Sequence, residues 1–167
     1  MTLEYALRKA GLEPGKDVEV RSDIQFNAMA GAFAGGEGDY TTLFEPTATA
    51  MESEGQGYVL ASVGEMAGEV PYTCYQVTRS ALEKKSDTVL RFLRAIARAQ
   101  RFVQENDAKT VAEALAPAFA DTPVETLETV VERYRSIGAF AQTPVMHEEA
   151  YERLLDIIAG SGELSAR

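Results

Sequence analysis

Every stretch of this sequence that reads as a β-strand lies before Thr78, and everything after it reads as helix. Residues 17–20 "DVEV", 39–44 "DYTTLF", 57–63 "GYVLASV" and 70–77 "VPYTCYQV" are short runs rich in β-branched and aromatic residues, bounded by Gly, Pro and Asp. Between them lie helix-like segments, near residues 2–10, 27–34 and 46–55. Pro46 at a first helical position and Gly55 just past the end bracket the third of these. Residues 64–69, "GEMAGE", read as a loop. Strands alternating with helices predict an α/β unit, a mixed sheet of about four strands with covering helices, followed by an all-helical C-terminal part.

That C-terminal part begins with residues 79–105, where Val89, Phe92, Leu93, Ile96 and Val103 share one helical face and Arg91, Arg94, Arg98 and Arg101 the opposite one. Further helices are expected near 108–116, 123–135 and 147–159. Thr122-Pro123 followed by Glu125 predicts a capping box at the second of these. The order is unbalanced: the apolar faces of the late helices need something to cover, and no second sheet is encoded to meet them.

Composition narrows the function classes. With 46% apolar and 25% charged residues in 167, the chain is a globular one, and a domain of this size buries roughly 70% of its unfolded surface. The net charge of −10 argues against nucleic acid as a partner. Charge is unevenly spread: residues 1–70 hold 12 acidic and 4 basic side chains, residues 71–167 hold 14 and 12. One cysteine, Cys74, and one histidine, His147, leave no disulfide, no multi-cysteine metal site and no nucleophile–histidine pair in sequence. Cys74 is expected to be a small buried strand residue and His147 to stand at a helix start. No apolar run approaches the ~18 residues of a membrane span, and the N-terminal residues lack a signal-peptide pattern.

In open α/β sheets ligands lie beyond the carboxyl ends of strands, where loops enter helices. Glu45 stands at such a place, just after Phe44, and Gln25, Phe26 and Asn27 occupy an equivalent one. The competing reading for Glu45 is that it caps its own helix, where free N–H groups and the helix dipole favour a carboxylate. The competing reading for Tyr72 is a half-buried strand aromatic.

The runs "DIQFNAMAGAFAGGEGDYTTLFEPTA" and "GYVLASVGEMAGEVPYTCYQVTRSALEK", with "VERYR" and "LLDIIAGSGEL" further on, resemble the substrate-binding proteins of ABC importers. The resemblance is to the group handling thiamine-pyrimidine precursors, alkanesulfonates, taurine and nitrate. It implies a two-lobed periplasmic-binding-protein type II fold with a ligand trapped between lobes. On that comparison residues 1–70 correspond to a second-lobe α/β unit, 71–78 to a crossover or hinge strand, and 79–167 to C-terminal helices belonging to the first lobe. The first lobe's sheet has no counterpart here, so the resemblance implies an incomplete fold, a C-terminal piece of a longer protein.

The same comparison implies a ligand site of Glu45, Thr42, Phe44, Gln25, Asn27, Tyr72 and Thr73, no catalytic residue, no metal and no cofactor. It implies as partners a small polar ligand and a transporter permease, and an extracytoplasmic location, periplasmic or as a cell-surface lipoprotein. Glu45 and the acidic first half lean the ligand towards a neutral or cationic heterocycle. A fungal pyrimidine synthase on the same fold supplies an enzyme alternative, and a stand-alone interaction module a third, but one histidine and one cysteine do not match the synthase chemistry. Uncovered apolar residues, among them Phe92, Ile96, Phe102, Val130, Val131, Leu154 and Ile158, predict a homo-oligomer or domain-swapped dimer.

Overall fold

The computed structural model describes residues 1–162. Nine α-helices are present among them: α1 (Thr2–Lys9), α2 (Met29–Ala34), α3 (Thr47–Ser53), α4 (Val63–Ala67), α5 (Arg79–Lys84), α6 (Ser86–Glu105), α7 (Ala108–Leu115), α8 (Val124–Ser136) and α9 (Glu148–Gly160). Short 3-10 turns precede α2 at Phe26–Ala28 and follow α7 at Ala116–Ala118.

The sheet expected from the sequence is absent among the described residues. The four strand-like runs form no ladder, Val63 at the end of the third belongs to α4, and β-pairing among the described residues is confined to an isolated bridge between Pro14 and Val18. Strands are stabilised by cross-strand pairs and ladder hydrogen bonds, so a run with high β propensity stays single when no partner edge lies alongside. Tyr58 and Leu60 in the third run are 86% and 74% exposed, which shows how little covers it. The alternation of strand-like and helix-like segments therefore reflects local preference and does not report the architecture. The loop expected at 64–69 is also corrected: Ser62 accepts a hydrogen bond from the Glu65 N–H at 3.2 Å and starts α4.

The best-packed region is the α7–α8 pair. Asp107 caps α7 by accepting from the Thr110 N–H at 2.7 Å. Ala108 and Val111 then pack against Val131 of α8, with Val103, Leu115 and Phe140 around them. Arg135 of α8 donates to the carbonyls of Val103 and Asn106, groups that the C-terminal end of α6 leaves open, and so ties α8 to the junction where α6 turns into α7. Helix α8 begins at Val124, one residue later than its sequence pattern suggests, with Pro123 as its cap and no side-chain cap bond, so the capping box does not form.

A second packed region joins α1, α4 and α9. Ala6 and Ala67 are buried between α1 and α4, where two small side chains let the helices approach closely. The turn after α4 uses Gly68 at φ +97°, and a Cβ there would also lie 3.2 Å from Nε of Arg153 on α9. Arg153 donates to the Glu69 carbonyl at 2.5 Å and Lys9 to the Met66 carbonyl at 3.2 Å, holding that corner.

Helix α6 differs from both regions: not one of its 20 residues is buried. Of the apolar residues expected to lack cover, Phe92 and Phe102 are exposed and Ile96, Leu154 and Ile158 half-buried, whereas Val130 and Val131 are buried, Val131 within the α7–α8 core.

Candidate functional site

Three segments far apart in sequence meet through their aromatic rings. Phe26 in the turn before α2 lies 5.6 Å from Phe44, tilted by 50°, and Phe44 lies 5.8 Å from Tyr72 with the planes within 7° of parallel. Offset or tilted arrangements at these separations suit the ring quadrupoles. All three rings remain exposed, so they form an open aromatic wall. Gln25, Asn27 and Thr73 beside them are exposed too, and Thr42 is half-buried two residues before Phe44. The Glu45–Pro46 and Tyr72–Thr73 peptide bonds, at two of the three segments, are cis.

Glu45 is placed behind this wall. Its side chain is 5% exposed, with Oε2 accepting from the Thr49 N–H at 2.9 Å and Oε1 from Nη1 of Arg133 at 2.8 Å. The first bond is the helix-capping contact that competes with a ligand role for this residue, made to the third residue of α3. The second has no counterpart in the sequence reading. Arg133, projecting from α8, also donates to Thr49 Oγ1 at 2.8 Å and to Glu52 Oε2 at 2.5 Å, and the neighbouring Tyr134 hydroxyl accepts from the Glu45 N–H at 3.3 Å.

One guanidinium thus holds both ends of α3's inner face, and that explains the electrostatics. Burial disfavours the Arg133 cation, but its bonds to Glu45 and Glu52 outweigh burial and raise its pKa above the ordinary guanidinium value. The Val59 N–H and Arg133 hold the Glu52 carboxyl below the usual carboxylate range. Because Val59 N–H donates to Glu52 Oε1 at 2.9 Å, the cluster also anchors the 57–61 run. The charge of Glu45 is balanced inside the protein, which removes the argument that it would repel an anion or attract a cation at the wall.

No local pattern points to Arg133, which lies 88 residues from Glu45. Two arginines two residues apart, Arg133 and Arg135, on an amphipathic helix are the available signal. Cys74, expected in a buried strand, is exposed. His147 precedes α9 as its cap residue without a side-chain cap bond. Groups of His, Cys, Asp and Glu able to hold a metal ion do not occur among the described residues. Of two hollows of about 300 Å³ each, one, lined by Arg98, Arg101, Phe102, Glu105 and Asn106, lies away from the wall, and the other, lined by Thr49, Glu52, Ser53, Glu125, Thr126 and Thr129, adjoins the Arg133 cluster between α3 and α8. Among the described residues no helix is long and apolar enough to cross a membrane.

The NMT1-like family matches this chain over residues 1–116. A curated protein of Bacillus subtilis (strain 168), named "Putative binding protein YtlA", is 40% identical over 164 residues, 98% of this chain and 49% of that protein. The chain therefore spans about half the length of the curated relative it matches. No solved structure matches it. The match over more than half its length and the 40% identity together make the chain a member of the NMT1-like family, part of the periplasmic-binding-protein type II group of ABC substrate-binding proteins.

Proposed function

We propose that this chain supplies one wall of the ligand cleft in the solute-binding component of an ABC importer, working outside the cytoplasm and performing no chemistry on what it captures. The observation that carries the reading is the meeting of Phe26, Phe44 and Tyr72, three residues from separate segments of the expected site. Exposed parallel rings offer a π-face to a planar ligand, while Gln25, Asn27, Thr42 and Thr73 supply neutral donors and acceptors around it. With Glu45 paired to Arg133, recognition rests on stacking and neutral hydrogen bonds rather than on charge. That combination favours a neutral planar heterocycle, such as a thiamine-precursor pyrimidine, over an alkanesulfonate or nitrate.

The remaining assignments rest on the family. Residues 1–70 act as the second-lobe unit, 71–78 as the crossover beside the ligand, and the helices from 79 to 160 cover a first-lobe sheet; the last residues of the 79–167 unit, 163–167, lie outside the described residues. An importer permease receives the ligand. One wall without its opposite gives weak binding, on the order of millimolar, since affinity in a cleft comes from burial on both sides.

NMR titration of the chain with an aminopyrimidine, an alkylsulfonate and nitrate in turn tests this directly. The pyrimidine is expected to shift the ring protons of Phe26, Phe44 and Tyr72 through its ring current, and Phe44→Ala to abolish the response. Shifts produced only by the sulfonate or nitrate, or a pyrimidine response unchanged by Phe44→Ala, would contradict it.

A further inference from the structure

The rings of the aromatic wall are too open to hold themselves in place. Phe44 and Tyr72 are both exposed, so side-chain packing alone does little to keep their planes near parallel. What holds Phe44 is the peptide unit that follows it. The Phe44 carbonyl accepts from the Ala48 N–H at 3.2 Å, in the first turn of α3, and the Glu45 N–H of the same unit donates to the Tyr134 hydroxyl at 3.3 Å. A peptide unit is planar, so bonds at both of its polar groups set its orientation and with it the direction in which the Phe44 ring leaves the backbone.

Tyr134 is itself held from behind. Its ring meets Phe140 edge to face, centroids 5.9 Å apart and planes at 84°, and Phe140 packs on the Ala108, Val111 and Val131 cluster. Continuous contacts therefore run from the best-packed part of the protein through Tyr134 to an exposed ring. We propose that Tyr134 is a positioning residue of the ligand wall, its hydroxyl keeping Phe44 parallel to Tyr72 by holding the Glu45 N–H. The inference rests on the wall reading of the proposed function and adds to it a residue from the far end of the chain. On the lobe assignment given there, Phe44 belongs to the second-lobe unit and Tyr134 to helices of the first, so a helix of one unit sets the binding face of the other. Arg133 has a different part, since it fixes the Glu45 carboxylate and α3 and makes no bond to the peptide unit after Phe44.

Tyr134→Phe tests this, because it removes one oxygen and keeps the ring that meets Phe140. In the free chain, NMR cross-peaks between the Phe44 and Tyr72 rings are expected to weaken sharply while the melting midpoint stays near wild type. Titration with an aminopyrimidine should show an affinity weaker by about threefold to tenfold, the range that one hydrogen bond commands. Val111→Ala is the counterpart: it opens a cavity in the α7–α8 core and should lower the melting midpoint further, yet leave the ring cross-peaks and the affinity at wild-type values. A merely structural Tyr134 predicts the reverse order. Ring cross-peaks or an affinity as strong in Tyr134→Phe as in wild type overturn the proposal, as does an equal loss of both in Val111→Ala. A wild-type chain that binds no aminopyrimidine contradicts the ligand reading instead, and the cross-peaks of the free chain then decide the positioning alone.

Discussion

Helices α6 and α8 have the same kind of sequence, an apolar stripe on a charged helix, and opposite fates. In α8 the stripe closes on α7, where Val111 is 1% exposed and Val131 fully buried. In α6 the stripe runs along a helix with no buried residue at all. An amphipathic pattern thus states a demand for a partner surface and says nothing of where the partner is. For α8 the partner is the preceding helix, brought round by the Asp107 cap and the Arg135 bonds. For α6 the chain's own fold provides α7 and the Arg135 bonds of α8 at its C-terminal end, α5 at its N-terminal end and the Tyr75 ring against Phe92, and none of these buries a residue of the helix.

The largest expected effect separates these helices. Leu127→Ala in α8 removes a side chain only 2% exposed and should cost about 2–5 kcal/mol, as other buried Leu-to-Ala changes do. Leu93→Ala in α6, where the residue is already 41% exposed, should cost under about 1 kcal/mol in the monomer. Chemical denaturation below the concentration of any association measures both. Equal losses would mean that α6 is packed in solution against something the single chain does not show.

Arginine gives the next comparison. Arg133→Met leaves Glu45, at 5% exposure, without its ion partner, and should cost about 2 kcal/mol, less than the full penalty of a buried pair because Arg133 itself is 22% exposed. Arg98→Met on the open face of α6 should change stability by no more than about 0.5 kcal/mol. Adding Glu45→Gln to Arg133→Met should recover part of the loss, since the amide oxygen still caps α3 and no unpaired charge remains. A double mutant as unstable as the sum of its single changes would remove the ion pair from the account.

The smallest effect is on pH dependence. Glu52, held low by the Val59 N–H and Arg133, and Asp107, held low by the Thr110 N–H, are both depressed carboxylates. Their contribution is fully present above the unfolded carboxylate pKa and is lost as pH falls through the lower folded value. Acid melting curves of Asp107→Ala and Glu52→Gln should therefore be flatter than wild type on the acid side, with Asp107→Ala acting on the α7–α8 core. A wild-type slope in both variants would assign acid sensitivity to other groups.

Much of the second half is written in local sequence. Its helices stand where their periodicity places them, except that the expected helix over 79–105 is broken at Lys85 into α5 and α6. Helix hydrogen bonds close within the segment, and tertiary contacts only select its face. The expected strands do not pair, for the converse reason. "DYTTLF", "GYVLASV" and "VPYTCYQV" have the residues a sheet favours, but a sheet is a pairing between segments and no local pattern reports whether a partner edge is present. The Ser62 cap is legible in principle, and "GEMAGE" resembles a loop because glycines stand in and beside a helix of five residues. At the site, the aromatic residues and the helix-capping role of Glu45 are legible from position. The Arg133 hub is not, since a contact across 88 residues leaves no spacing to read.

Hydrogen exchange resolved by peptide mass spectrometry, on the chain held below any association concentration, tests the central claim that the helices are formed while the strand-like runs are unpaired. Amides of residues 108–136 are predicted to exchange slowest, and those of 57–61 and 70–77 within the fastest class apart from Val59, which donates to Glu52. Protection of 57–61 and 70–77 as strong as that of α7 and α8 would mean that the runs are paired in a sheet after all, and would contradict the account.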